Sequence, residues 1–309
     1  MSKPIVVVGS INLDLVVGAD RLPLAGETIT GNTFATFHGG KGANQAVAAA
    51  KLGYPVAMVG CVGTDNFGIQ LRGALESAGV DVSQVNTVDE SSGTALITIG
   101  SHGENSIVVV PGANARVTPA VLEKAAPMLE RAGMILAQLE IPLETVEYLA
   151  QLAEKHRIPL MLDPAPARDL PESLLRRITW ITPNETEAHA LLAHGTEGRD
   201  ATSEHAARRF LDRGVKNVIL KLGSRGCLIA QPNREELLVP AFSVTAVDST
   251  AAGDAFNGGF AVALMRGLDV SRSAVFASAV AAISVTRPGA QPSMPTADEV
   301  NCFLEANSA

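Results

Sequence analysis

The sequence predicts an α/β protein: a three-layer α/β/α sandwich with a mostly parallel, doubly wound sheet and a small β-sheet lid. Three observations lead there. The runs Ile5 to Gly9 and Val56 to Gly60 are continuously apolar or small, and Met134 to Leu139 is interrupted only by Gln138, which is how strands buried on both faces read. From residue 119 onward such runs alternate with helical patterns, as βαβ units do. Short strands over residues 12–18, 27–38 and 93–110 fall outside that alternation and are assigned to the lid. The 309 residues are read as one domain, because a doubly wound unit of this size need not be divided.

The first run, Ile5 to Gly9, opens the sheet. In Ser10 to Val16 polar and apolar residues then alternate, so a strand's period of two puts Asn12 and Asp14 on one face and Ile11, Leu13 and Leu15 on the other. An ionised Asp accepts hydrogen bonds from two neighbouring hydroxyls, and Asn both donates and accepts, which suits a sugar. A half-exposed strand with a solvated face explains the same alternation. Glu27 to Thr30 and Thr33 to Phe37 read as short strands around Gly31-Asn32. Next comes Gly39-Gly40-Lys41-Gly42-Ala43-Asn44-Gln45, opening an Ala-rich helix that runs to Leu52 and stops at Gly53. The glycines allow close approach of a ligand to the backbone, but Gly42 after Lys41 and the missing spacing exclude a P-loop.

Phe67 to Ala78 is an amphipathic helix, and Thr94 to Ile99 with Ser106 to Val110 a hairpin. Thr118-Pro119 starts the first of the later helices, and Leu143 to His156 is another. Strands at 134–139 and 159–162 end next to Glu140 and Asp163, at carboxyl ends where open α/β sheets bind ligands. Trp180 to Thr182 is a strand, and Thr182-Pro183-Asn184-Glu185 reads as a capping box with Pro at the first helical position. Asn184 and Glu187 then share the first turn, on an edge that would face a metal-bound triphosphate. Strands Asn217 to Leu222 and Cys227 to Ala230 flank the Gly223-Ser224-Arg225-Gly226 turn, and an Ala-rich helix covers Ser273 to Val285. Thr296 and Glu299 cap the last helix.

The stretch Asp248 to Gly259 reads as a loop entering a buried helix. Unpaired N–H groups at such a start can hold a phosphate or a phosphoryl group in transfer. Asp254 stands where that anion would arrive, a place suited to a general base that takes a proton from an attacking hydroxyl. An Asp in a first helical turn also serves as a cap or dipole partner, and this stretch alone leaves both roles open.

Composition excludes several classes. Apolar residues make up 47%, too many for a disordered chain, yet no apolar run is long enough to span a bilayer. A formal net charge of −8 with no basic stripe argues against nucleic acid as a partner. Cys61, Cys227 and Cys302 are isolated and read as reduced thiols, mostly filling the core. The short polar start before Ile5 is not a signal peptide, so a cytoplasmic protein without membrane contact is expected.

Together the motifs resemble the ribokinase-like sugar kinase family over essentially the full chain. They are Gly-Ser-Ile-Asn-Leu-Asp at 9–14, Gly-Gly-Lys-Gly-Ala-Asn-Gln-Ala at 39–46, the Asn-Pro-like Asp-Pro-Ala-Pro-Ala-Arg at 163–168, Pro-Asn-Glu-Thr-Glu at 183–187, the Asp254 loop and Gly-Ala-Gln-Pro-Ser at 289–293. The resemblance implies ATP-dependent phosphorylation of the 5-hydroxyl of ribose, by a chain often dimeric through its lids. Deoxyribose, a ketohexose or a nucleoside are the competing acceptors, and a non-catalytic sugar or nucleotide sensor is the competing kind of protein. Carried over by position, Asp254 is the base and Ala251, Ala252 and Gly253 form the anion hole, where the family usually begins with Gly. Asn12, Asp14, Gly40, Lys41, Gly42, Ala43, Asn44 and Glu140 surround the sugar. Asn184, Lys221, Leu222, Gly223, Ser224, Arg225, Gly226, Gly253 and Ser278 lie along ATP, with Glu187 organising Mg²⁺ through water. Asp248, Thr250, Ser284, Arg287, Gly289 and Ser293 match the positions that hold K⁺ in the family; the lesser alternative is that Asp248 merely caps its turn and the later loop packs by Pro288 and Pro292.

Overall fold

Four consecutive apolar residues form strand β1 (Ile5–Val8), and all four are fully buried. Ile5 and Val7 enter one apolar layer and Val6 and Val8 the other, so the strand has no wet face. In this computed structural model, which describes residues 2–192 and 202–307, β1 belongs to a nine-stranded sheet with helices on both faces.

The chain leaves β1 for an antiparallel pair, β2 (Asn12–Gly18) and β3 (Thr33–Gly39), and returns through helix α1 (Lys41–Lys51). Then follow β4 (Val56–Gly63), α2 (Asn66–Ser77) and β5 (Asp81–Val88). A hairpin of β6 (Gly93–Ile99) and β7 (Asn105–Val110) leads to the short helices α3 (Pro119–Lys124) and α4 (Ala126–Leu129). The regular βα alternation comes next: β8 (Met134–Ala137), α5 (Leu143–His156), β9 (Leu160–Leu162), α6 (Glu172–Leu175), β10 (Trp180–Ile181) and α7 (Glu185–Leu192). After α8 (Ser203–Asp212) come β11 (Val218–Lys221), β12 (Cys227–Ala230) and β13 (Leu237–Val239), the last two antiparallel. Helices α9 (Ala252–Met265), α10 (Val270–Ser284) and α11 (Ala297–Ala306) complete the chain.

In the large sheet the order is β13-β12-β11-β10-β9-β8-β1-β4-β5. From β1 the chain builds outward to β4 and β5, then crosses back to β8 and builds the other way. The carboxyl end of β1 is therefore a switch point, where a crevice opens between diverging connections. Helices α1, α2, α9, α10 and α11 cover one face of the sheet, and α3, α5, α7 and α8 the other.

Helix α9 approaches α1 closely because small residues meet there. A Cβ added at Gly258 would lie 2.7 Å from the Cβ of Ala48, so glycine is what lets the two backbones touch. That contact sets the first turn of α9 opposite Asn44 and Gln45. A second sheet of four strands, ordered β3-β2-β6-β7, stands over the same edge. It opens from the carboxyl end of β1 and corresponds to the lid of the sequence reading.

The structure corrects three local readings. Glu27 to Thr30 is not a strand: the Glu27 N–H donates to the Leu24 carbonyl at 3.0 Å and its carboxylate pairs with Arg21, closing an exposed turn. The capping box at α7 sits two residues later than expected. Asn184 Oδ1 accepts from the Glu187 N–H and Glu187 Oε2 from the Asn184 N–H, both at 2.8 Å, while Thr182 Oγ1 is buried without a partner. Strand β5 is absent from the sequence reading, because Asp81, Ser83, Gln84, Asn86 and Thr87 mask its apolar Val82, Val85 and Val88. Cys61 and Cys227 are buried free thiols, whereas Cys302 is exposed. Among the described residues no helix is long and apolar enough to cross a membrane.

Candidate active site

Polar side chains stand at the carboxyl ends of five adjacent parallel strands, from the switch point outward. Ser10 follows β1, Glu140 follows β8, Asp163 follows β9, Asn184 follows β10, and Lys221 ends β11. Helix α1 enters beside them. Gly40 has a left-handed φ of 85°, and a Cβ there would sit 2.7 Å from the Asn12 N, so only glycine lets this turn pass under β2. The Lys41 N–H and the Ser10 hydroxyl both donate to Glu140 Oε2, which ties the start of α1 to the end of β8.

Asp254 occupies the first turn of α9 and is buried. Its Oδ2 accepts from Asn44 Nδ2 and its Oδ1 from Gln45 Nε2, each at 3.0 Å. Both oxygens thus look across to α1 and neither caps its own helix, which decides against the capping role left open by the sequence. Burial, opposed by the Lys41 ammonium and reinforced by Asp163, lifts the carboxyl to about 6. Burial alone would pull Lys41 down, but the carboxylates of Asp254, Asp163, Glu140 and Glu187 outweigh it and hold the ammonium above its usual value. Asn44 Oδ1, beside Asp254, is buried with no partner. An orphan acceptor of this kind fits a hydroxyl-bearing ligand.

The lid contributes Asn12 and Asp14. Asn12 Oδ1 accepts from Asn114 Nδ2 at 2.6 Å, which spends its acceptor inside the protein and leaves its N–H₂ as the available donor. Asp14 lies over Gly39, where an added Cβ would come within 2.3 Å of its carboxylate. Burial, then Glu140 and Asp254, raise Asp14 to about 7. A desolvated carboxylate facing two others is a strong acceptor awaiting donors.

On the opposite side lie the residues assigned to nucleotide and metal. Ala251 is left-handed at φ 59°, so the turn before α9 carries strain of about 1–2 kcal/mol that glycine would not have. Of the expected anion-hole donors, the Ala252 N–H is turned to the Ser249 carbonyl at 3.2 Å. Lys221 Nζ lies 3.0 Å from where a Gly253 Cβ would be, so the ammonium rests against this turn. Asn184 bridges to Lys221 beside the α7 cap, and Gly223, Ser224 and Arg225 form an exposed 3₁₀ turn between β11 and β12. Leu222 is buried in the opposite layer, and Ser278 is buried on α10 as a hydrogen-bond partner of Cys227. Asp248 accepts from the Thr250 N–H at 2.9 Å and the Gly289 N–H at 2.8 Å, which fastens the two loops assigned to K⁺ together. Partial burial pushes Asp248 up, but hydrogen bonds from Thr250 and Gly289 hold it below its ordinary value.

Sequence reasoning gave no role to Gln45, Gln138 or Asn114 and put Asp163 only at a ligand-binding strand end, although all four are buried here. Asp163 was visible as a carboxylate at a strand end, and Gln45 closes the glycine motif. Asn114 sits in a stretch with no signal.

The family model for pfkB family carbohydrate kinases matches residues 2–297. The chain is 42% identical to a ribokinase of Haemophilus influenzae, over 99% of both chains. It is 39% identical to a deoxyribokinase of Salmonella typhimurium, over 98% of this chain and 99% of the other. The structure superposes on that of an Arabidopsis thaliana ribokinase complexed with ribose and ATP with a TM-score of 0.92 and 37% identity, covering 99% of each chain. The match along nearly the whole length, with the crevice built as above, places the chain in the pfkB family of carbohydrate kinases.

Proposed function

We propose that this kinase transfers the γ-phosphoryl group of ATP to the 5-hydroxyl of ribose. The observation that carries the reading is Asp254: a buried carboxylate, both oxygens held from α1, raised to about 6, at the mouth of the Ala251 to Gly253 turn. Such a group is ionised at neutral pH yet basic enough to accept a proton. Asp254 takes the proton of the hydroxyl as that oxygen bonds to the γ-phosphorus, the bond to the bridging oxygen breaks, and ADP leaves with the electron pair. Asn12, Asp14, Asn44 and Glu140, with the Gly40 to Ala43 turn, orient the sugar. Asn184, Lys221, the 222–226 turn, Gly253 and Ser278 are assigned to ATP.

Mg²⁺ would neutralise phosphate charge, and Glu187 fits a water-mediated role because one of its carboxylate oxygens stays outside the Asn184 cap. The carbonyl-rich loops tied by Asp248 suit a large hard cation, and we assign K⁺ there. The exposed apolar side chains of β7, Ile107 to Val110, support a homodimer through the lids. ATP use and free buried thiols accord with a cytoplasmic enzyme.

A deoxyribokinase at 39% identity keeps 2-deoxyribose as the second reading. A coupled assay of ADP release over ribose, 2-deoxyribose, fructose and adenosine tests both. Ribose is expected to give the highest specificity constant; ADP release with none of them overturns the kinase reading.

A further inference from the structure

We propose that Gln45 and Asp163 are positioning residues, joining the base Asp254 to the Lys221 ammonium in one buried row of hydrogen bonds beside the anion-hole turn. The inference rests on the reading of Asp254 as the base.

Gln45 Nε2 carries two hydrogens, and each has a carboxylate: Asp254 Oδ1 at 3.0 Å and Asp163 Oδ2 at 3.1 Å. Its Oε1 accepts from Gln138 Nε2 at 2.8 Å, so the amide cannot flip and turn its oxygen toward two carboxylates. Asp163 Oδ1 in turn accepts from Lys221 Nζ at 3.1 Å. The row alternates acceptor and donor from base to ammonium. Gln45, Asp163 and Asp254 are 1%, 2% and 5% exposed, so water does not substitute for the links among them, and only the Lys221 end is part-buried.

A buried ion pair between Asp163 and Lys221 could serve packing alone. Two features argue otherwise. Both ends of the row lie at the place of reaction, one being the base and the other resting against Gly253. Its middle member brings a second carboxylate toward the first, which a purely structural device would avoid. A neighbouring carboxylate makes ionisation of Asp254 harder, and the Gln45 donor makes it easier. The row thus holds the base between two opposed influences.

The other charged groups bearing on Asp254 are Lys41 from α1 and Asp14 from β2, while Glu140 at the end of β8 and Glu187 of α7 act on those two: Glu140 on both, and Glu187 on Lys41. All remain in the variants considered. Asp163→Asn keeps the shape but removes a negative neighbour and frees the Lys221 charge, and both changes favour ionised Asp254. The acid limb of kcat/KM, which reports deprotonation of the base in the free enzyme, moves to lower pH by about one unit. Gln45→Met, of similar volume, removes the donated hydrogen bond and leaves Asp163 charged, so the limb moves to higher pH by about half a unit. Turnover falls about tenfold in each, since Asp163→Asn loosens the Lys221 end of the row and Gln45→Met the Asp254 end.

The experiment is the pH profile of sugar phosphorylation by wild type and both variants at saturating Mg²⁺ and ATP, with folding checked by circular dichroism. Displacements of opposite sign are expected. Limbs that superpose on the wild type, with only turnover or melting temperature lowered, overturn the proposal. Should Asp163→Asn fail to fold, the direction of the Gln45→Met limb decides alone. A wild type with no sugar-dependent ADP release overturns the kinase reading and this proposal with it; an active wild type with unmoved variants overturns only the proposal.

Discussion

Strand β1 of the large sheet exposes none of its four side chains, whereas strand β7 of the lid exposes all six. Both are rich in Val and Ile, so composition does not separate them. Topology does: β1 lies between two helix-covered faces, while β7 is the edge of a four-stranded sheet with no helical layer of its own. The body is stabilised by its own core, and the lid leaves apolar surface for something else to cover. Chemistry divides along the same line. The proposed base and the residues assigned to nucleotide belong to the body, and Asn12 and Asp14 of the proposed sugar grip to the lid.

The sharpest test of that division is Asp254→Asn. Turnover should fall roughly 10²- to 10⁴-fold while sugar affinity, measured by calorimetry, changes much less. Near-normal turnover would remove the base from the body altogether.

Stability should divide likewise. Phe260, fully buried on α9 with its ring 5.0 Å from that of Trp180, should cost about 3–5 kcal/mol of unfolding free energy on replacement by Ala. Val108→Asp on β7 should leave unfolding within about 0.5 kcal/mol and instead give a monomer in analytical ultracentrifugation. A destabilisation like that of Phe260→Ala would show that the lid has a core of its own.

The lid's grip on the sugar should appear as discrimination. An acceptor lacking one hydroxyl leaves part of the Asp14 carboxylate unpaired at a cost of about 1–3 kcal/mol, so ribose should exceed 2-deoxyribose by at least about tenfold in specificity constant. Equal use of both sugars would refute it. The same carboxyl, at about 7 before binding, is favoured in its ionised form by donated hydroxyls, and its proton affinity falls when sugar binds. Sugar binding at pH 7 should therefore release a fraction of a proton, and affinity should weaken as the pH falls below 7. Calorimetry in two buffers of different ionisation enthalpy reads this directly; identical heats would count against it.

The smallest expected effect lies in the body. At constant ionic strength, activity should rise several-fold when K⁺ replaces a bulky organic cation, and Asp248→Ala should abolish the rise. The same rate in both salts would leave the Asp248 loops purely structural.

Much of the body was legible because its signals are local. Helix α5 occupies the residues expected, Leu143–His156, since its apolar period and polar face lie within one segment. The lid strands were also visible, except that Glu27 to Thr30 had strand-like residues and no strand to pair with. The site was legible in its motifs but not in its connections. Gln45 meets Asp163 across 118 residues and Asp254 across 209, and no spacing rule reaches that far. Asn114 reaches Asn12 only because β6, β7 and the turn after them bring it back beneath β2. The Ala251 position was readable as a departure from glycine, but its left-handed backbone needed coordinates.

The close contact of Gly258 with Ala48 has a mechanical consequence. With no side-chain volume between α9 and α1, the gap from Asp254 to Asn44 and Gln45 is fixed by two backbones and has no hinge. Asp254, the proposed base, would be the stationary jaw of a clamp. Any movement that brings the sugar hydroxyl into line with a phosphoryl group must come from the other jaw, the sheet carrying Asp14, joined to the body through short links such as Ser10-Ile11 and Gly40. Turnover is then expected to follow how fast that sheet can swing, and added viscogen should slow the enzyme even where the chemical step is unchanged; a rate indifferent to viscosity would remove the clamp.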